Sequence, residues 1–164
     1  MSISDDFDVA QMREAFAGFP CGVVTVAAVV DGEPTVLVAS SFAVGVSQDP
    51  PLVMFAVQDS STTWPTLSTA ATLGVSVLGE QHADKVRQLA ARDKSERFVN
   101  VTTQLTELGA ILLDGAPVWL ETMIEHSYPA GDHRIVVLKV IRIKVHGDHT
   151  PLVWHRSGFA RLAC

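Results

Sequence analysis

The strongest constraint on this chain is a pattern that recurs along it. Short apolar runs rich in valine each stop at a Gly, Pro or Asp turn. Residues 22–30 (GVVTVAAVV) are apolar on both faces, and Asp31-Gly32 separates them from a second run at 35–38. Asp-Gly between two such runs signals a hairpin. The second run meets Ser40-Ser41, continues to Val46 and stops near Asp49-Pro50-Pro51. A proline pair does not fit a central strand, so it predicts a turn. Residues 52–57, 73–78, 116–128, 133–145 and 152–155 read as further strands. The segment 116–128 alternates loosely and predicts one wet face. Three stretches read as helix. Residues 6–17 follow the acidic Ser4-Asp5-Asp6; 62–70 follow the capping candidates Asp59-Ser60-Ser61, with Pro65 in the first turn; 80–91 are amphipathic. Six to eight sequential strands on short turns predict a mainly β protein, an antiparallel barrel with two or three helical insertions. Helices do not alternate with strands, which argues against a doubly wound sheet.

With 164 residues the chain reads as a single domain over 1–164. Hydrophobic residues make up 48% and charged residues only 18%, with a mean hydropathy of +0.27. That balance predicts either a homodimer that buries part of the surface or strands covered on both faces. The formal charge is −6, and Lys and Arg are scattered, so no nucleic-acid partner is expected. The apolar runs fall short of the ~18 residues a membrane span needs. The N-terminus is acidic where a signal peptide would be basic. Cys21 and Cys164 lie far apart without CxxC spacing, which suits a reducing cytoplasm.

Two hydroxyl clusters stand out. Ser60 and Ser61 precede the helix expected at 62–70, and Thr62 and Thr63 open it. Unpaired amides at a helix start, with the Ser61 and Thr63 hydroxyls, could cradle a phosphate; Ser61 could equally only cap its own helix. The second cluster, Ala39-Ser40-Ser41, interrupts an otherwise apolar strand. Small polar residues there leave room for a flat group to approach the backbone, or find partners on a neighbouring strand. Together they suit a nucleotide-like cofactor. His133, His146 and His149 lie near Asp132 and Asp148, but no pair has the spacing of metal ligands on a helix, so no metal is expected. No G-x-S-x-G elbow is present. Cys21 lacks an evident activating base and reads as a small buried residue.

The residues also match a family pattern. Cys21-Gly22-Val23-Val24-Thr25-Val26, Ala39-Ser40-Ser41-Phe42, Val46-Ser47 with Asp49-Pro50-Pro51-Leu52, and Ser61-x-Thr63 come first. Arg97-Phe98, Leu113-Asp114-Gly115, Trp119-Leu120-Glu121, Gly131-Asp132-His133, Pro151-Leu152 and Arg156-Ser157-Gly158-Phe159 follow. In this order, from about Phe16 to Leu162, the chain resembles the short-chain flavin reductases, the reductase components of two-component flavin-dependent monooxygenases. The resemblance implies an FMN-binding split barrel working as a homodimer. It implies FMN or FAD as the flavin, NADH or NADPH as hydride donor, and a monooxygenase as partner for the reduced flavin. Carried over by position, Ala39, Ser40 and Ser41 should line the isoalloxazine and ribityl chain, and Ala56, Val57 and Gln58 should border the flavin. Ser61, Thr62 and Thr63 should hold the phosphate. Arg97-Phe98 should lie near the phosphate or dinucleotide end, and His133 at the nicotinamide site. An alternative is a non-enzymatic flavin-binding split barrel, a carrier or sensor. A pyridoxamine-phosphate type oxidase fits less well, because its Arg/Lys-rich phosphate site is missing.

Overall fold

The computed structural model describes residue 3 and residues 6–163. In chain order the elements are α1 (Val9–Ala17), β1 (Cys21–Gly22), β2 (Val24–Val30), β3 (Glu33–Ala39), β4 (Ala43–Gln48), β5 (Pro51–Gln58), α2 (Trp64–Leu67) and β6 (Leu73–Val77). After these come α3 (Val86–Leu89), β7 (Thr103–Leu105), β8 (Ile111–Leu113), β9 (Val118–Ala130), β10 (His133–Val145), β11 (Val153–His155) and β12 (Gly158–Ala160). Seven strands form the main sheet in the order β3-β2-β6-β9-β10-β5-β4, every pair antiparallel. Val26, Leu73, Val75, Phe55, Val136 and Leu138 fill its interior at 0–1% exposure. The mainly β, antiparallel barrel is therefore present, but among the described residues the strands number twelve, because several short ones escaped the apolar pattern.

Four segments differ from the sequence expectation. The strand expected to run unbroken from 35 to 46 is two strands, β3 and β4, at opposite edges of the main sheet. Residues 40–42 carry the chain across the seam between those edges. Apolar periodicity is the same whether a strand continues or changes partner, so it could not show the break. The helix expected at 62–70 contracts to α2, whose Trp64 and Leu67 plug the barrel at 8% and 0% exposure. Trp64 meets Phe55 edge-on at 5.4 Å between ring centroids. The helix expected at 80–91 is split into a 3-10 turn, Glu80–His82, and α3. His82 divides it: Nδ1 accepts from the Gly79 amide (3.0 Å) and Nε2 bonds the Asp114 carbonyl (2.8 Å), pinning that turn to the segment after β8. The helix expected from residue 6 begins at Val9, capped reciprocally by Asp8 and Gln11; the Ser4-Asp5 part of its acidic start lies outside the described residues.

The wet face expected on 116–128 is dry in its first half. Leu120, Glu121 and Thr122 are all buried, because Thr72 and Thr106 cover the outer side and donate to Glu121 Oε1 (3.2 and 2.7 Å). Asp31-Gly32 makes the expected hairpin turn with φ of 50° and 81°. Pro51 opens β5 opposite Gln48 instead of belonging to the turn. Cys21 is half-buried, its thiol 3.9 Å from the Trp154 carbonyl, and Cys164 lies outside the described residues.

Candidate functional site

A cleft of about 480 Å³ opens at the barrel seam, where β3 gives way to β4. Ala39, Ser40, Ser41, Ala56, Val57, Gln58, Ser61, Thr62, Thr63, Arg97 and His133 all line it, from four separate stretches of chain. Phe98 does not. It packs into a second apolar cluster with Leu89, Leu113 and Val36, on the side of the loop away from the cleft. Sequence order could not show this, because adjacent residues in a tight turn point apart.

Ser41 holds the seam together. Its hydroxyl donates to the Ala56 carbonyl (2.9 Å) and accepts from the Ala56 amide (3.0 Å). One side chain thus replaces a ladder step that the crossing backbone does not make. That hydroxyl is committed to the wall of the cleft, and Ala39, Ser40 and Ala56 offer small side chains beside it.

The loop after β5 is set by two anchors. The plug of Trp64 and Leu67 fixes its far end, at about 1.5–3 kcal/mol for each large apolar side chain buried. At its near end the Asp59 amide donates to the Asp132 carbonyl (2.9 Å), joining it to the β9–β10 turn. Within it, Ser61 Oγ accepts from the Thr63 and Trp64 amides (3.3 and 3.1 Å). Ser61 thus takes up the amides at the entry to α2 from two residues before its N-cap, Thr63, and those two amides are already used. The hydroxyl keeps its own proton to donate.

The positive charge of the cleft comes instead from Arg97. Its Nε donates to the Ala91 carbonyl (2.8 Å), and its Nη1 to the Val36 carbonyl (2.8 Å) and Thr63 Oγ1 (2.9 Å). Every one of these acceptors is neutral, so none cancels the charge. Burial pushes the guanidinium pKa below its usual value, and the residue as a whole is 9% exposed. An arginine remains charged in such surroundings, so a buried cation faces the cleft. Lys94 Nζ donates to the Thr62 carbonyl (2.8 Å) and ties the same two loops together. The sequence signal for Arg97 was weak, since no spacing links it to residue 63.

Across the cleft, His133 opens β10 opposite Gln58. Its Nδ1 lies 2.6 Å from Asp132 Oδ1. The carboxylate can only accept, so Nδ1 carries the proton and Nε2 is the nitrogen left over. The hydrogen bond and charge of His133 hold the Asp132 carboxyl below the ordinary carboxylate range. Away from the cleft, His146 bonds the Ala116 carbonyl (2.9 Å) and meets Trp119 edge-on, a packing role.

The donor set fits a phosphorylated planar ligand: a buried guanidinium and hydroxyls at one end, small side chains in the middle, a carboxylate-held imidazole at the other. No nucleophile with an activating base is present among these lining residues, so the arrangement positions and holds more than it reacts.

Relatives point the same way. The model of the flavin reductase like domain matches residues 16–163. A flavin reductase of Pseudomonas putida is 30% identical over 157 residues, covering 95% of this chain and 91% of its own. The reductase component of 4-hydroxyphenylacetate 3-monooxygenase from Thermus thermophilus is 33% identical, with 92% and 94% covered. Among solved structures, an NADH:FAD oxidoreductase of Streptomyces globisporus, in complex with NAD and FAD fragments, superposes with a TM-score of 0.89 at 32% identity, covering 99% of this chain and 98% of that one. With nearly all of its length accounted for by that domain, and with the barrel and seam cleft in place, the chain belongs to the flavin reductase like family.

Proposed function

We propose that this protein is an NAD(P)H-dependent flavin reductase that hands reduced flavin to a monooxygenase. The observation that carries this reading is the seam cleft, where an uncompensated guanidinium faces small, neutral walls and His133 closes the far side. A flavin held there would supply the redox chemistry, accepting the hydride that a reduced nicotinamide would donate. Arg97, with the Ser61 and Thr63 hydroxyls, holds the phosphate end. Ala39, Ser40, Ala56 and Gln58 leave a slot for the flat ring, and Val57 and Thr62 shape its margins. His133, oriented by Asp132, positions the nicotinamide through Nε2. Fixing two rings face to face can contribute roughly 7–11 kcal/mol of barrier reduction through proximity alone. Little acid–base equipment is then needed.

The chain acts as one unit over 1–164, and the cleft takes either FMN or FAD, since its open end accepts a longer tail. The working form is a homodimer in the cytoplasm. Two features support dimerisation. The helix α1 buries none of its residues, leaving Phe16 71% exposed, and Val44, Val46, Ile143 and Val145 are exposed beside an apolar cleft of about 400 Å³.

The decisive assay follows NADH and NADPH oxidation with FMN and with FAD, and then with a partner oxygenase. Flavin-dependent turnover is the expected result. Flavin retained through gel filtration with no turnover by either nucleotide would favour the carrier reading instead.

A further inference from the structure

Outside the seam cleft, one exposed feature shares its surface. Tyr128 is 51% exposed, and its ring stacks on that of His126 with centroids 5.6 Å apart and planes at 29°. Directly opposed residues of antiparallel strands project from the same face of a sheet. Ala56 opposes Ile135, and Ile135 opposes Tyr128. One residue row along, Gln58 opposes His133. Ala56, Gln58 and His133 line the cleft, so Tyr128 and His126 stand on the cleft side of the sheet. Two strand spacings separate Ala56 from Tyr128, roughly 10 Å.

We propose that the Tyr128–His126 pair is the stacking platform for the adenine ring of the hydride donor. This rests on the flavin reductase reading. The nicotinamide must lie against the flavin between Ala56 and His133. A ring two strands away from that point is within reach of the other end of the same dinucleotide. An exposed aromatic pair fits that role, because every purine offers a π face that can stack on a protein aromatic ring. The neighbouring surface supports it: the half-buried apolar Ile135 lies in the register between Ala56 and Tyr128.

The test compares donors with and without adenine. NAD⁺ and nicotinamide mononucleotide are titrated into wild type, Tyr128→Leu and Tyr128→Phe. Saturation-transfer NMR follows the adenine H2 and H8 protons of NAD⁺, and steady-state rates are taken with NADH and its mononucleotide. In Tyr128→Leu we expect NAD⁺ affinity and kcat/KM for NADH to fall about tenfold, with adenine saturation lost. The mononucleotide values and flavin affinity should hold, and Tyr128→Phe should restore the NAD⁺ values. Equal losses for both nucleotides, or none, would overturn the platform. If adenine saturation depends on Tyr128 but no nucleotide reduces flavin, the platform stands and the reductase reading fails.

Discussion

Arg97 is a buried residue, and its guanidinium bonds run to Ala91, Val36 and Thr63. It therefore serves two ends, stitching three segments together and presenting charge to the cleft. Arg97→Met separates them. Losing the bonds to the Ala91 and Val36 carbonyls should lower unfolding stability by about 1–3 kcal/mol, read from urea midpoints. Losing the charge should weaken FMN at least about tenfold while changing riboflavin, which lacks the phosphate, less than about threefold. Equal losses for FMN and riboflavin would place the charge elsewhere. At this scale the sequence was partly legible. Ser61 and Thr63 could be picked out from local chemistry, whereas His133 was reached only through the family resemblance. The pairing of Arg97 with Thr63 could not be picked out, because they are 34 positions apart and only the fold closes that gap. Phe98 packs into the second apolar cluster and not the cleft lining for a related reason, since nothing local says which of two neighbours in a turn faces inward.

Among the elements, β6 carries the tightest packing. A Cβ at Gly74 would sit 2.1 Å from the Ile111 carbonyl oxygen, because β8 crosses directly over β6. Backbone cannot yield there as a side chain would. Gly74→Ala should cost at least about 2 kcal/mol of overpacking strain, measured by denaturant melts. A mutant as stable as wild type would mean that β8 is displaceable. The same crossing explains why Ser76 Oγ accepts from the Leu113 amide (2.9 Å). The long strands β9 and β10 and the Asp-Gly hairpin were legible, since their apolar runs and turn residues are local signals. The break between β3 and β4 was not, nor the splitting of 80–91. Each depends on a distant partner: Ala56 for Ser41, Asp114 for His82.

For the whole molecule, the exposed apolar side chains of β4 and the end of β10 require a cover. If that cover is a second copy, Ile143→Asp should convert a dimer to a monomer by sedimentation, with the far-ultraviolet circular dichroism unchanged. A wild type already monomeric at micromolar concentration would remove the idea. Dimerisation belongs to this scale because no single element predicts it. The composition gave a hint, through 48% hydrophobic against 18% charged residues, but could not say which surface.

The order of apolar runs and turn residues determined by itself that this chain makes an antiparallel barrel with few helices, because strand period and turn chemistry are written in neighbouring residues. It also determined which small polar residues were unusual enough to be useful. Only the tertiary structure decided that residues 40–42 cross a seam, that this seam is the cleft, and that its charge comes from an arginine on a remote loop. Closing a sheet brings its two edges together, and the distance between edges is a property of the closed barrel that no stretch of sequence carries.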